Sequence, residues 1–306
     1  MYQEDELLSS KILEKKKQHD IYIIAHYYQR GEIQDIADFV GDSYAMALAA
    51  RNSPSNTILV AGVDFMAQTA AILCPDKTVL SPEPAATCPM ANSISIQDIK
   101  EFKQSYPDGI VVSYVNTPAE VKAVSDVCCT SSNAEKILRQ LPADQRIFFV
   151  PDRNLAKNIA AKLEREIDIY PSQCPIHAQV TKEGILRLKD ENPQALVLVH
   201  PECDPEVVFM ADFIGSTAGI LNYVAGSPAE DFIIGTECGI FHAIDKASPG
   251  KHLILASPEL ICPNMKSITL EKILYSIDEE QTVITVPDDI RMKAVLALEK
   301  MIEMAS

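Results

Sequence analysis

Short apolar runs alternate with longer stretches of helical period along the whole chain. Runs such as IIA, TILVA, VVSY, IFFV, VLV and FIIG are strand-length, and amphipathic segments separate them. That alternation predicts parallel sheets covered by helices on both faces, because a strand buried on both sides reads as continuous apolar sequence.

The pattern repeats. Three segments align without gaps: IIAHYYQRGEIQDIADFVGDS (23–43), VVSYVNTPAEVKAVSDVCCTS (111–131) and VLVHPECDPEVVFMADFIGST (197–217). Each opens on an apolar run and continues into a polar pair at i and i+2, namely His26/Tyr28, Tyr114/Asn116 and His200/Glu202. A stretch read as helical follows, with an acid in it (Asp38, Asp126, Asp212), and each segment ends on a hydroxyl residue (Ser43, Ser131, Thr217). The offsets are 88 and then 86 positions. The second halves match more loosely. TILVAGVDFMAQTAAIL, RIFFVPDRNLAKNIAAKL and DFIIGTECGIFHAIDKA each read as strand then helix, and each unit closes on a strand and a Cys-Pro loop. An internal period of this length marks one structural unit used three times. The expected fold is α/β: three similar three-layer α/β/α domains, each with a three-strand parallel core, in pseudo-threefold arrangement around a central site. The expected domains are residues 1–90, 91–176 and 177–263. An amphipathic C-terminal stretch, 264–306, is expected to return to the first.

The repeat singles out three of the eight cysteines. Cys88, Cys174 and Cys262 each precede a proline after the last strand of their unit, 86 and 88 positions apart. Groups at the carboxyl ends of strands in open α/β sheets collect in one crevice, so these thiols are expected to converge. Cys74 also precedes a proline but has no mate, nor do Cys128, Cys129, Cys203 and Cys238; these five read as small buried hydrophobes. Three soft donors favour zinc or an iron–sulfur cluster. A structural zinc site normally has four protein ligands, often in close Cys-x-x-Cys pairs, and no such pair occurs here. A three-thiolate site therefore reads as open, and on a 4Fe–4S cluster it would leave one iron for substrate.

The polar pairs are expected to ring the same cavity and to supply acid–base and hydrogen-bonding groups. The hydroxyl residues read as helix N-caps, and helix N-termini facing a cavity suit substrates with several carboxylates or a phosphate. His177, three residues beyond Cys174, is a weaker candidate. Charge and composition narrow the partners. A formal net charge of −16 argues against a nucleic-acid surface, so any anion site must be built locally. There is no P-loop and no Gly-rich dinucleotide fingerprint. The polar opening MYQEDELLSSKILEKKKQHD and the strand-length apolar runs predict neither signal peptide nor membrane span. Scattered cysteines suit reduced thiols in a cytoplasmic protein.

Motifs along nearly the whole chain, AHYYQRGEIQDIADFVGDS, VSYVNT, HPEC with ADFIGST, GTECGI and CPNMK, resemble those of the quinolinate synthase A family of bacterial NAD biosynthesis. The resemblance implies an enzyme that condenses iminoaspartate with dihydroxyacetone phosphate to quinolinate, releasing phosphate and water. It implies a 4Fe–4S cluster held by Cys88, Cys174 and Cys262, with the open iron assisting dehydration. By motif position, catalysis falls on Tyr28, Tyr114, His200 and Glu202. Substrate contacts fall on His26, Ser43, Asn116, Ser131, His177, Ser216 and Thr217. The partners implied are the two small substrates, with functional pairing to L-aspartate oxidase or aspartate dehydrogenase. Longer members carry Cys-x-x-Cys at the third ligand; here SPELI precedes Cys262, which removes a disulfide switch at that place. The residues alone leave two other readings: a non-catalytic three-cysteine metal or redox-sensing protein, and another hydro-lyase with an open-site cluster.

Overall fold

The computed structural model describes residues 2–306. Three parallel sheets carry the architecture. The first contains β1 (Ile21–His26), β2 (Phe39–Gly41), β3 (Thr57–Ala61) and β4 (Thr78–Leu80) in the order β2-β1-β3-β4. The second contains β5 (Ile110–Tyr114), β6 (Val127–Cys129), β7 (Ile147–Val150) and β8 (Asp168–Ile169) in the order β6-β5-β7-β8. The third contains β9 (Leu196–Val199), β10 (Phe213–Ile214), β11 (Asp231–Gly235) and β12 (His252–Leu255) in the order β10-β9-β11-β12. The order is the same in all three, and so are the helices that cover each sheet. Three similar α/β/α units are present, as the repeat predicts.

Each sheet has four strands rather than the three expected. The extra member is the edge strand β2, β6 or β10, which the sequence reading placed inside a helical stretch. The acid repeated in each unit explains why the chain extends there. Asp38 takes the backbone N–H of Ile23 at 2.8 Å, Asp126 that of Val111 at 2.7 Å, and Asp212 that of Val197 at 2.8 Å. In return each acid's own N–H donates to the carbonyl of that same residue, at 2.8, 3.0 and 2.8 Å respectively. The side chain thus completes the ladder where the edge strand is too short to do so.

Two of the three helix starts also differ from expectation. Asp42, not Ser43, caps the helix Ser43–Asn52 by accepting the Ala45 N–H at 3.0 Å. In the third unit a hydroxyl of GST does cap, as expected: Ser216 holds the start of the helix Thr217–Gly226 through the Gly219 N–H at 3.2 Å, and Thr217 does not cap. In the second unit the helix begins at Ala134, beyond Ser131, and the Asn133 side chain takes the Thr130 N–H at 2.7 Å. The hydroxyls of Ser43 and Thr217 are therefore not spent on capping.

The first two units and the C-terminal stretch share one continuous apolar core, beside a smaller cluster in the second unit around Ile94, Ile99 and Val111, while the third unit contributes only cores of its own. Beyond Cys262, the helix Leu270–Asp278 packs on the helix Tyr2–Gln18. The chain then pairs with the edge of the first sheet, Ser81 N–H donating to Thr282 and Ile284 N–H to Val79. The last helix, Asp288–Ala305, buries Ala294, Ala297, Leu298 and Met301 at helical spacing against elements of both the first and the second unit. Among the described residues no helix is long and apolar enough to cross a membrane.

Candidate active site

Each unit points the carboxyl end of its first strand toward one place. His26 ends β1, Tyr114 ends β5, and His200 follows β9. In each sheet this strand sits where connections depart to both sides, the position at which α/β sheets open a crevice. Between the three ends lies a cavity of about 320 Å³. It is lined by His26, Tyr28, Ser43, Tyr114, Asn116, Ser131, His177, His200, Glu202 and Thr217, and by Cys88, Cys174 and Cys262. Of the residues singled out by sequence only Ser216 is not among its lining residues; its hydroxyl caps the Thr217 helix and meets the Asp42 carboxylate.

The polar side chains form one connected chain across the three units. Tyr114 donates its hydroxyl to Glu202 Oε1 at 2.6 Å. Glu202 Oε2 lies 2.8 Å from His177 Nδ1, at an angle that leaves this ring nitrogen without a well-directed partner. His177 Nε2 meets Thr236 Oγ1 at 2.9 Å, and Thr236 meets the Tyr28 hydroxyl at 2.6 Å. Thr217 donates to the same hydroxyl at 2.9 Å. His200 Nε2 lies 3.1 Å from Ser131 Oγ, and its ring stacks on His177 with centroids 4.5 Å apart. Asn116 Oδ1 is buried without a partner, which leaves an acceptor for a ligand hydroxyl.

Burial fixes the protonation of these groups. It lowers His26 and His200 to about 3, helped at His26 by the Lys266 charge and at His200 by His177, so both are neutral imidazoles near pH 7. Burial and the Glu202 charge push the Tyr28 and Tyr114 phenols well above their ordinary value, which keeps them proton donors. For Glu202 burial acts upward but is outweighed by the imidazoles of His200 and His177 and by the Tyr114 hydroxyl. It is held as a carboxylate.

The thiols show how a metal group fits. Burial pushes Cys88 up to about 12 and Cys174 well above the ordinary thiol value; the Glu202 charge raises both further, and Cys262 acts in the same direction on Cys88 as Cys88 does on Cys174. Three buried thiols lining one cavity are costly to ionise alone and become a thiolate set when a cation sits between them. No other cysteine lines the cavity among the described residues. Cys128 and Cys129 are instead fully buried in β6. Cys174, His177 and Glu202 also bring a sulfur, a ring nitrogen and a carboxylate oxygen within 4.8 Å of one another.

The sequence reading missed Thr236, which joins His177 to Tyr28, and Glu237, which is fully buried beside Cys262. Both stand in GTECGI, at the join of the strand and helix read in DFIIGTECGIFHAIDKA, where neither residue is singled out by the repeat. Its unit-to-unit match is loose because a strand end and a helix start impose few residue types.

Comparison with known proteins agrees with this arrangement. A family profile described as "Quinolinate synthetase A protein" matches residues 10–303. A protein of Dehalococcoides mccartyi named quinolinate synthase is 48% identical over 298 residues, covering 97% of this chain and 98% of its own. Relatives of the same name from Thermodesulfovibrio yellowstonii and Methanosarcina barkeri are 47% and 45% identical, over 97% and 96% of this chain and 98% and 97% of theirs. With three repeated α/β units around one cysteine-lined cavity, and matches of this length and identity, the chain belongs to the quinolinate synthase A family of enzymes.

Proposed function

We propose that this enzyme condenses iminoaspartate with dihydroxyacetone phosphate to quinolinate, with loss of phosphate and water. The observation that carries the reading is one cavity lined by three thiols and by Tyr114, Glu202, His177 and Tyr28, with Tyr114 bonded to Glu202, Glu202 2.8 Å from His177, and Thr236 joining His177 to Tyr28 from behind. Cys88, Cys174 and Cys262 would hold a 4Fe–4S cluster, which supplies Lewis acidity at the iron that lacks a protein ligand.

The chain's own residues would do the rest. Ser43 and Thr217, free of capping duty at the N-termini of ten-residue helices, hold carboxylate or phosphate oxygens with the helix amides behind them. Asn116 accepts from a hydroxyl of the triose, and Ser131 with His200 orients the adjacent oxygen. Tyr28 and Tyr114, kept protonated, donate to the developing oxyanions. Glu202, kept ionised, takes protons during isomerisation and dehydration and returns them through Tyr114 or His177. His26 accepts the Tyr28 backbone N–H at 3.1 Å and sets the tyrosine's direction.

We further read residues 1–90, 91–176 and 177–263 as the three domains, with 264–306 binding the first two. Reduced thiols suit action in the cytoplasm, and an L-aspartate oxidase or aspartate dehydrogenase would furnish the imine. The test is anaerobic incubation of the protein with iminoaspartate and dihydroxyacetone phosphate. Quinolinate and phosphate in equal amounts support the reading; phosphate release alone, or no product with the cluster present, overturns the substrate assignment.

A further inference from the structure

The cysteine loops are held by a set of carboxylates that follows the same repeat. β3, β7 and β11 each pair with the first strand of their sheet, at Ala25–Ala61, Ser113–Val150 and Val199–Gly235. Two residues beyond the paired position stand Asp152 and Glu237, and three beyond it stands Asp64. Asp152 is fully buried and accepts the Cys174 backbone N–H at 3.1 Å on one oxygen, while the other takes the Leu155 N–H at 2.6 Å. Glu237 is fully buried and accepts the Cys262 backbone N–H at 3.0 Å on one oxygen and the Gly239 N–H at 2.7 Å on the other. Asp64, one residue further along and partly exposed, faces the Cys88 backbone N–H.

Glu237 has a second duty. Lys266 lies 3.0 Å from it and donates to the Tyr28 carbonyl at 2.6 Å. The third cysteine is thereby tied to the loop that carries Tyr28, in another unit.

We propose that Asp152 and Glu237, with Asp64 in the looser third place, are positioning residues that fix the cysteine backbones and turn their N–H groups away from the sulfurs. This rests on the three-cysteine cluster of the proposed function. A backbone N–H held by a carboxylate is not available to the sulfur, and hydrogen bonds to sulfur raise a cluster's potential. Partners that orient metal ligands are worth about 10–100-fold in metal affinity.

The test uses Asp152→Asn and Glu237→Gln, which keep size and leave one side-chain oxygen, with Asp212→Asn as a control carboxylate that holds a backbone N–H in β9. In the anaerobic proteins, iron release to a chelator and the midpoint potential are measured, together with thermal unfolding. The expected result is release about 10–100-fold faster in Asp152→Asn and Glu237→Gln, with the potential moved upward, and neither change in Asp212→Asn. A cluster-bearing wild type beside variants with unchanged release and potential overturns this inference alone. Equal shifts in Asp212→Asn overturn it too, since a general loosening of the fold would then be the cause. A wild type that assembles no cluster overturns the three-cysteine reading itself and this inference with it.

Discussion

At the scale of the residue, the site works by opposite treatment of neighbouring buried groups in one cavity. The phenols are pushed up, the imidazoles of His26 and His200 are pushed down, and Glu202 between them stays ionised. Glu202→Gln keeps the shape but removes the proton acceptor. Its quinolinate turnover is expected to fall about 10²–10⁴-fold, with the visible absorption of the cluster unchanged; full turnover would remove Glu202 from the chemistry. The same burial sets acid stability. An imidazole at about 3 when folded and 6.5 when unfolded binds its proton more readily in the unfolded chain, so stability falls as pH drops from 6.5 toward 3. Glu202, lowered in the folded state, adds a loss of the same sign. The thermal midpoint of the cluster-free protein should fall steadily below pH 6.5, and more gently in His200→Asn. Much of this site is legible in the sequence because the repeat places unlike polar residues at like positions, as in His26, Tyr114 and His200. Thr236, Asp152 and Glu237 escape notice because they act on backbone amides and on other side chains, contacts that leave no spacing rule behind.

At the scale of the element, each sheet is closed by an acid rather than by a long edge strand. Asp126 takes the Val111 N–H and the Lys103 ammonium on one oxygen, both lost on substitution by Ala. Asp126→Ala should lower stability by about 1–3 kcal/mol, read by denaturant unfolding, while Asp126→Asn retains most of it by keeping an acceptor for Val111. Iron content should stay the same in both. The edge strands themselves are not legible. Phe213–Ile214 is two residues long and Val127–Cys129 three, shorter than any period can register, and their pairing depends on the distant first strand. The helix caps show a related limit. GDS and GST contain two capping candidates each, and only the fold decides that Asp42 and Ser216 serve, leaving Ser43 and Thr217 to the cavity.

At the scale of the whole molecule, one unit used three times makes a site that no single copy contains. Tyr114 and Glu202 belong to different units, as do Tyr28 and Thr236 and the three cysteines. The first and second units are locked together by the helix Asp288–Ala305, whereas the third keeps separate cores. The tail's position over two units is not readable from its amphipathic pattern, which shows that a face is buried but not against what. The cysteines divide along the same line. Those at equivalent loop positions meet in the cavity, while Cys129 sits in β6 with its thiol pushed well up by burial. Cys129→Ala should therefore leave the iron content unchanged.

The proposed chemistry stands or falls with Cys88, Cys174 and Cys262 holding one cluster together. The most direct measurement is iron and acid-labile sulfide in protein purified without oxygen, for the wild type and for Cys174→Ala. About four irons and four sulfides per wild-type chain are expected, and none retained by the variant, with the fold of the variant intact by circular dichroism. An intact cluster in Cys174→Ala, or a folded wild-type chain that takes up no iron under these conditions, would contradict it.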